Sequence, residues 1–529
     1  MAGCGAFRLV LTNSADMSDS VAVACCYGCC MGERVLGNKK YLLGIDLGSS
    51  SVKAALLDVE SGRCVGSAFY PKSEMAINAP EPGFAEQDPE QWYVNAGLAV
   101  REAVKSAGAD AAEIAAVGIA YQMHGLVCVD KNRRVLRPAI IWCDSRAVDY
   151  GRRAFENIGR DKCLERLLNS PGNFTASKLA WVKDNEPEVF AGIDKIMLPG
   201  DWLAMRLTGD VCTTVSGLSE GIFWDFQSEE PAGFLLDEMG FDAALLPEVV
   251  PTFARQGVLS AEAAADFGLK AGTPVSYRAG DQPNNALSLN VVNPGDVAAT
   301  AGTSGVVYGL SSARRFDPEQ RVNTFAHVSH SAENPCLGVL LCINGTGILN
   351  SWTKRVLGVD SYEDMNRMAE SVPAGSDGLT VLPFGNGAER MLGNRSIGAQ
   401  FAGVDFNRHS REHICRAVQE GIVFAFKYGL DAMRAAGVKP QTIRAGFANM
   451  FMSDIFSRTM AGVCGVAIEL YDSDGALGAA RGAGIGAGEY ASFDEAFSLL
   501  RRIKTVEPDA ADYSQAYDEW KRQLDTVLD

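Results

Sequence analysis

Two short turns in the chain contain residue types that could bind phosphate. One follows Asp46, and a similar Gly-Thr-Ser turn occurs much later. Backbone N–H groups in tight Gly/Ser turns form concave anion-binding sites, and apolar stretches flank both turns. This favours a pair of phosphate-binding turns over two ordinary loops. The candidate residues are Ser49, Ser50, Gly302, Thr303 and Ser304.

Several polar residues could bind a metal, hold a small molecule or accept a proton. Asp46 either caps its turn or holds Mg²⁺, which takes one or two carboxylates and keeps several waters. His124, at the end of a Gln122-Met123-His124 segment, is either a satisfied core histidine or a ligand contact. Asp281 follows a glycine and has no basic neighbour in sequence. It either caps a helix or acts as a general base.

Apolar patterning predicts the elements that hold these groups. A helix is expected at 89–105, with Asp88 as N-cap and Pro89 in its first turn. A strand, turn and strand at 296–310 repeats the opening hairpin, and this duplication predicts two similar lobes. No Gly-Lys dipeptide occurs, which excludes a P-loop. Further strands are predicted at 41–48, 52–59, 62–70 and 114–121, the first three of them antiparallel.

Composition indicates a cytoplasmic protein of more than one domain. The chain has 529 residues, more than one hydrophobic core holds. Its 65 acidic and 48 basic residues give a net charge of −17, which disfavours nucleic acid and anionic membranes as partners. Residues 1–40 are expected to form a disordered extension. Five of the 14 cysteines fall there, but no second ligand pair follows nearby, so a structural zinc site is not expected.

From residue 41 onward the chain resembles the FGGY carbohydrate kinases of the actin/hexokinase superfamily, and among them the xylulokinases most. The sequence departs from the patterns of this family at Asn173, at Gln419 and in the segment 445–449, which is glycine-rich in the family. The segments that carry it are YLLGIDLGSSSVKAALLDV (41–59), GFAEQDPEQW (83–92), GIAYQMHGLVCVD (118–130), LRPAIIWCDSRA (136–147), FTASKLAWVKDNEP (174–187), LPGDWLAMRLTG (198–209), AGDQPNNA (279–286), TAGTSGVVYG (300–309) and DGALGAARGAGIG (474–486).

The resemblance implies an α/β fold with two ribonuclease-H-like lobes and a cleft between them, divided as 41–288 and 289–529. It implies a kinase that uses ATP and Mg²⁺ to phosphorylate a small ketose, with D-xylulose as the expected sugar. It makes Asp281 the catalytic base, and Asp46 would hold the metal. The remaining candidates are Gln122, Met123, His124, Asp281 and Gln282 for the sugar, with Asn284 as a further one, and Ser49, Ser50, Gly302, Thr303, Ser304, Gly446 and Asn449 for ATP.

Two alternatives to this function stay open. The substrate could be another sugar of the family, namely ribulose, gluconate, glycerol or a deoxyketose. The chain could also be a non-catalytic ATP-binding switch of the same superfamily. Such a switch would keep Asp46 and the Thr303 turn but would not need His124 together with Asp281. A homodimer is also left open, because the sequence carries no information on assembly.

Overall fold

The computed structural model describes residues 40–387, 389–508 and 510–529. Apart from Lys40, the expected extension at 1–40 lies outside the described residues. Within them, no helix is both long and apolar enough to cross a membrane. The cysteines in this part of the chain are free thiols.

The strands of the described part fall into two large sheets and several two-stranded ones. In chain order they are β1 (Tyr41–Leu47), β2 (Val52–Asp58), β3 (Cys64–Tyr70), β4 (Glu86–Gln87), β5 (Ile114–Tyr121), β6 (Val127–Val129), β7 (Ala139–Ile140), β8 (Lys195–Met197), β9 (Cys212–Thr213), β10 (Trp224–Asp225), β11 (Glu230–Pro231), β12 (Glu248–Val249), β13 (Val275–Gly280), β14 (Val297–Ala301), β15 (Gly305–Ser311), β16 (Asn323–Ala326), β17 (Leu337–Ile343), β18 (Thr380–Phe384), β19 (Gly398–Ala402), β20 (Thr442–Gly446), β21 (Ala467–Tyr471) and β22 (Arg502–Val506).

Helices connect these strands and cover the sheets. They are α1 (Pro89–Ala107), α2 (Val148–Ile158), α3 (Arg160–Arg166), α4 (Thr175–Asn185), α5 (Pro187–Gly192), α6 (Pro199–Thr208), α7 (Val215–Glu220), α8 (Gly233–Met239), α9 (Ala261–Phe267), α10 (Asp281–Ser288), α11 (Gly347–Val356), α12 (Tyr362–Glu370), α13 (Arg411–Ala435), α14 (Asp454–Cys464), α15 (Gly475–Ala487), α16 (Phe493–Phe497) and α17 (Ser514–Leu528). Short 3-10 turns lie at Ala111–Glu113, Ala243–Leu245, Ser376–Gly378, Glu389–Leu392 and Asn449–Met452.

The first large sheet has the strand order β3-β2-β1-β5-β13. Strands β1, β2 and β3 are antiparallel, whereas β5 and β13 run parallel to β1. Leu43 and Ile45 join one apolar cluster with α1, and Leu42 joins another with α15. Because helices cover both faces, the inner strands are apolar runs, and β5 is buried along its whole length.

The second large sheet has the order β16-β17-β15-β14-β20-β21-β22. Here β14 and β15 form an antiparallel hairpin, and β20 and β21 continue parallel to β14. The five neighbouring strands β17-β15-β14-β20-β21 therefore repeat the order and directions of β3-β2-β1-β5-β13 in the first sheet. The predicted pair of ribonuclease-H-like lobes is confirmed by this repeat.

Helix α15 begins shortly after β21 of the second sheet and packs on β1, β5 and β13 of the first. The contact is close, because a Cβ added to Gly44 or Gly118 would collide with the backbone of α15. Gly482 of this helix lies against the ring of Tyr277 in β13. Small residues thus bring the helix onto a sheet. The division of the chain at residue 288 stays a prediction.

The local predictions for the first lobe agree closely with the structure. Helix α1 begins at Pro89, and the side chain of Asp88 accepts a hydrogen bond from the N–H of Glu90. Strand β5 has the predicted bounds, and the hairpins at 41–59 and 296–310 are present with ends shifted by one residue or so. Local capping and strand patterns therefore determine this part of the scaffold.

Candidate active site

The parallel strands of the first sheet end side by side at one edge. In the register, Leu47 at the end of β1 pairs with Tyr121 at the end of β5, and Tyr121 pairs with Gly280 at the end of β13. Asp46, the Gln-Met-His segment and Asp281 lie at or just beyond these three positions. The structure therefore brings together the residues that the sequence proposed for metal, sugar and proton transfer.

Asp281 is the first residue of α10. The N-cap is Gly280, so Asp281 is not the N-cap residue, and its carboxylate accepts a hydrogen bond from the backbone N–H of Gln282 at the helix start. Burial, and then the negative charge of Asp46, raise the pKa of Asp281 to about 7. Among the described residues, no lysine or arginine forms an ion pair with it. A carboxyl group of this kind exchanges a proton near neutral pH, as a general base must.

Asp46 lies where the first sheet meets the start of α15. Gly475, the first residue of that helix, is so close that a Cβ there would collide with the Asp46 carboxylate. Burial and the charge of Asp474 raise the pKa of Asp46 to about 6, and Lys53 opposes them. Lys53, its register partner in β2, forms an ion pair with Asp474. Two carboxylates and one lysine thus converge beside the first turn.

The first turn, at residues 48–51, is held by hydrogen bonds to its backbone and side chains. The N–H of Gly48 donates to the carbonyl of Ser51 at 3.1 Å, and the carbonyl of Ser50 accepts from the N–H of Met75 at 2.8 Å. Ser49 accepts from Gln87 Nε2 through its carbonyl at 2.7 Å and from Trp142 Nε1 through its hydroxyl at 3.3 Å. Its conformation is therefore fixed by segments beyond the hairpin itself.

His124 has a left-handed backbone, with φ of 61°. Its Nδ1 lies 2.9 Å from the carbonyl oxygen of Glu220, so Nδ1–H donates and the neutral ring keeps Nε2 as an acceptor. Burial, followed by the charge of Lys178, lowers the pKa of His124 to about 3. The ring packs against Phe174 and Phe325, with centroids 4.7 Å and 5.3 Å away. The imidazole is thus held neutral in one orientation.

The other sugar candidates differ in how they are placed. Gln122 is buried and donates to Gln87 Oε1 at 3.3 Å, and Met123 packs against Gly280. Gln282 adjoins the Asp281 carboxylate and lowers its pKa through hydrogen bonding. Asn284 is fully buried and donates to the carbonyl of Gly475 at 2.8 Å, which ties α10 to α15. Asn284 therefore links two helices and does not face solvent.

The corresponding edge of the second sheet opens on a cavity of about 640 Å³. Gly302, Thr303 and Asn449 line it, together with Gln419. The carbonyls of Gly302 and Thr303 accept hydrogen bonds from the start of α11, at 2.8 Å and 3.2 Å. Ser304 is exposed and follows Thr303, and Gly446 is the last residue of β20, but neither lines the cavity. Three of the five ATP candidates of the second lobe therefore lie together at the cavity, and Gln419 lies among them.

Three groups beside His124 were missed by the sequence reading. Lys178 on α4 and Glu220 on α7 are buried, and burial raises the pKa of Glu220 well above its usual range. Arg390, far along the chain, places its guanidinium 5.0 Å from the ring centre of Phe174. Lys178 had a usable signal, since it stands on the apolar face of a helix. Glu220 and Arg390 had none, because only the folded chain brings them to this site.

Comparisons with known proteins show which family the chain resembles along most of its length. Residues 41–288 match the FGGY family of carbohydrate kinases, N-terminal domain, and residues 297–487 match its C-terminal domain. The xylulose kinase of Escherichia coli is 30% identical over 480 residues, covering 89% of this chain and 95% of that protein.

Two further proteins are similar along most of the chain. The L-xylulose/3-keto-L-gulonate kinase of Escherichia coli is 32% identical over 485 residues, covering 89% of this chain and 93% of that protein. A crystal structure described as a xyloylose kinase from Brucella ovis superposes with a TM-score of 0.81 at 30% identity, covering 92% of this chain and 98% of that one.

Proposed function

The chain belongs to the FGGY family of carbohydrate kinases, and on that basis we propose that it transfers the γ-phosphate of ATP to a primary hydroxyl of a small ketose, D-xylulose first. Kinases of this family use ATP. The observation that carries the proposal is Asp281, a partly buried carboxyl group that titrates near pH 7, has no ion-pair partner among the described residues and follows a strand end beside the Gln-Met-His segment.

Asp281 would act as the base in this reaction. The sugar oxygen forms a bond to the γ-phosphorus while the bond from that phosphorus to the β-bridging oxygen breaks. The hydroxyl proton passes to the Asp281 carboxylate, and ADP leaves. Phosphoryl transfer depends mainly on positioning and charge neutralisation, and a positioned base adds roughly 10²–10⁴ in rate. An ion pair to lysine or arginine would lower the pKa of the carboxylate and weaken it as a base.

The second lobe would hold ATP. The cavity lined by Gly302, Thr303 and Asn449 lies at the carboxyl edge of its parallel strands, where α/β sheets commonly bind ligands. Its volume suits a nucleotide-sized ligand, since ligand pockets span about 300–1,000 Å³. The phosphates would then extend from Thr303 toward Ser49 and Ser50 of the first lobe.

Mg²⁺ fits the residues around Asp46. Burial and the like charge of Asp474 raise the pKa of Asp46, so a divalent cation would relieve an unfavourable pair of carboxylates. Magnesium takes one or two carboxylates and fills its other positions with water and phosphate oxygens. When bound, it would neutralise phosphate charge. Asp46 would hold it directly or through water, and Lys53 stays paired with Asp474.

The sugar would lie between Asp281 and His124. His124 offers a neutral Nε2 acceptor in a fixed orientation, and Gln282 offers an amide beside the base. A site built to hydrogen-bond sugar hydroxyls rejects analogues that leave those groups unpaired. Gln122 already bonds to Gln87, so its direct contact with sugar stays a prediction, as does a cytoplasmic location.

The test is ADP release measured with a panel of sugars, for the wild type and Asp281→Asn. The panel contains D-xylulose, L-xylulose, 3-keto-L-gulonate, ribulose, gluconate, glycerol and a deoxyketose. L-Xylulose and 3-keto-L-gulonate are included because a relative named for them is 32% identical. We expect the highest kcat/KM with D-xylulose and loss of turnover in the variant. ATP binding without ADP release on any sugar would favour the non-catalytic switch.

A further inference from the structure

Lys178 on α4 is buried completely, yet it forms no ion pair with a carboxylate among the described residues. Lysine is almost never fully buried unless it is paired. Its Nζ instead donates to two backbone carbonyls, those of His124 at 2.7 Å and Ile141 at 3.0 Å. Burial lowers the pKa of Lys178 to about 7. An uncharged amine still has two hydrogens, which suffice for both carbonyls.

The two carbonyls belong to two different parts of the candidate site. His124 is the left-handed residue of the proposed sugar-binding turn. Ile141 precedes Trp142, whose indole N–H donates to the hydroxyl of Ser49 in the first phosphate turn. One side chain therefore bridges the sugar turn and the loop that supports the phosphate turn.

Helix α4 supports the same turn a second time. Thr175, one helical turn before Lys178, donates from its hydroxyl to the carbonyl of Gly125 at 3.3 Å. Successive carbonyls of the turn are thus held by residues three apart on one helix face. A non-glycine residue with positive φ is unfavourable on its own. Side-chain donors that bind its carbonyl offset that cost.

We propose that Lys178 is a positioning residue that fixes the left-handed turn at His124 relative to the Trp142 loop, and so sets the geometry of sugar binding. The inference rests on the proposed sugar-kinase function. Lys178 does not touch the reacting atoms. Lys178 holds the His124 carbonyl directly but reaches the phosphate turn only through the Trp142 loop. Its loss should therefore affect sugar binding far more than ATP binding, whereas a purely structural lysine would affect both substrates alike.

Lys178→Met tests this, because methionine keeps most of the length and removes the donors. Lys183→Met is the matched control, since Lys183 lies on the same helix and also donates to two carbonyls, those of Met239 at 2.8 Å and Gly240 at 3.0 Å. With D-xylulose as the probe, we expect the sugar KM to rise at least about tenfold in Lys178→Met, since two hydrogen bonds are lost and their carbonyls stay buried. The ATP KM should stay within about twofold. Lys183→Met should change neither KM.

Chemical rescue separates positioning from folding. In Lys178→Ala, added n-propylamine matches the removed segment from Cγ to Nζ, so it should enter the vacated space and lower the sugar KM, whereas n-propanol should restore much less. An unchanged sugar KM in both variants, an equal rise in the KM of both substrates, or no rescue by the amine would overturn the inference. Failure of both variants to fold, with the amine present, would overturn it too, because the lysine would then serve the fold. A wild-type protein inactive on every sugar of the panel would instead refute the proposed function.

Discussion

The two large sheets share strand order and directions but differ in chemistry at corresponding strand ends. Asp46 stands two residues before the first turn, and Thr300 stands two residues before the second. Strand β13 leads into Asp281, whose pKa burial raises, whereas β21 leads into Asp472, an exposed carboxylate. One backbone scaffold therefore offers partly buried acids in the first lobe and, in the second, a turn without an acid two residues before it, for which phosphate binding is proposed.

The likeness extends to a backbone detail. His124 follows the last residue of β5 by three positions, and Asn449 follows the last residue of β20 by three positions. Both have a left-handed backbone, with φ of 61° and 53°. The duplicated fold thus repeats the turn geometry, and the side chain placed on it distinguishes the proposed sugar site from the proposed nucleotide site.

The largest effect on activity should appear when each of the two carboxylates that follow equivalent strands, Asp281 and Asp472, is replaced in turn by an amide. Asp281→Asn preserves shape but cannot take up the hydroxyl proton. Steady-state kinetics should show kcat lowered at least about a hundredfold, while calorimetry shows both substrates still bound. Asp472→Asn, the matched change on the second sheet, should leave kcat near the wild-type value. An equal fall in kcat in the two variants would contradict the proposed difference between the two sheets.

A smaller effect is expected from the residues two positions before each turn. Asp46→Asn should raise the Mg²⁺ concentration for half-maximal activity roughly tenfold to a hundredfold, since groups that hold a metal or its water usually count for that much. Thr300→Ala should leave the Mg²⁺ requirement unchanged. The measurement is activity against free Mg²⁺ at saturating ATP and sugar. A shift in the Thr300 variant alone would assign the metal to the other lobe.

Much of the scaffold could be predicted from the sequence, because local signals determined it. The cap at Asp88, the continuous apolar run of β5 and the repeated hairpins all agree with the structure. Of the site, the sequence predicted the residues at or just after the ends of β1, β5 and β13, because these strands end at the same edge of the sheet. The contacts of Lys178 and Glu220 with His124 were missed because these residues are distant from His124 in sequence. That Gly280, and not Asp281, is the N-cap of α10 could be seen only in the folded chain.

The left-handed residues allow a matched pair of substitutions with a moderate effect. Glycine adopts positive φ freely, so His124→Gly and Asn449→Gly keep both turns and remove only the side chains. We expect the first to raise the sugar KM and the second to raise the ATP KM, each by roughly tenfold, since each loses a hydrogen-bonding group. Initial-rate kinetics with both substrates varied would measure this. A shared rise in both constants would mean that the turns support the fold.

The smallest and most diagnostic effect concerns stability against pH. In the unfolded chain Asp281 has an ordinary pKa of about 3.9, whereas in the folded protein its pKa is about 7. Between these values the folded state binds more protons, so the contribution of Asp281 to stability falls as pH rises. The negative charges of its acidic neighbours, Asp46 and Glu220, also favour the protonated form of Asp281 in the folded protein. Asparagine has no proton to lose.

Asp281→Asn should therefore gain stability relative to the wild type as pH rises from about 4 to 7, and match it below that range. A helix cap predicts the opposite sign, because an ionised aspartate stabilises a helix N-terminus and its loss would cost more at higher pH. Urea denaturation of both proteins across this range measures the difference, with Asp472→Asn, a change at the exposed equivalent position, measured alongside. If the wild type instead gains stability relative to Asp281→Asn as pH rises, the ionised Asp281 mainly stabilises the start of α10. The proposed contrast between the two sheets would then lose its buried base.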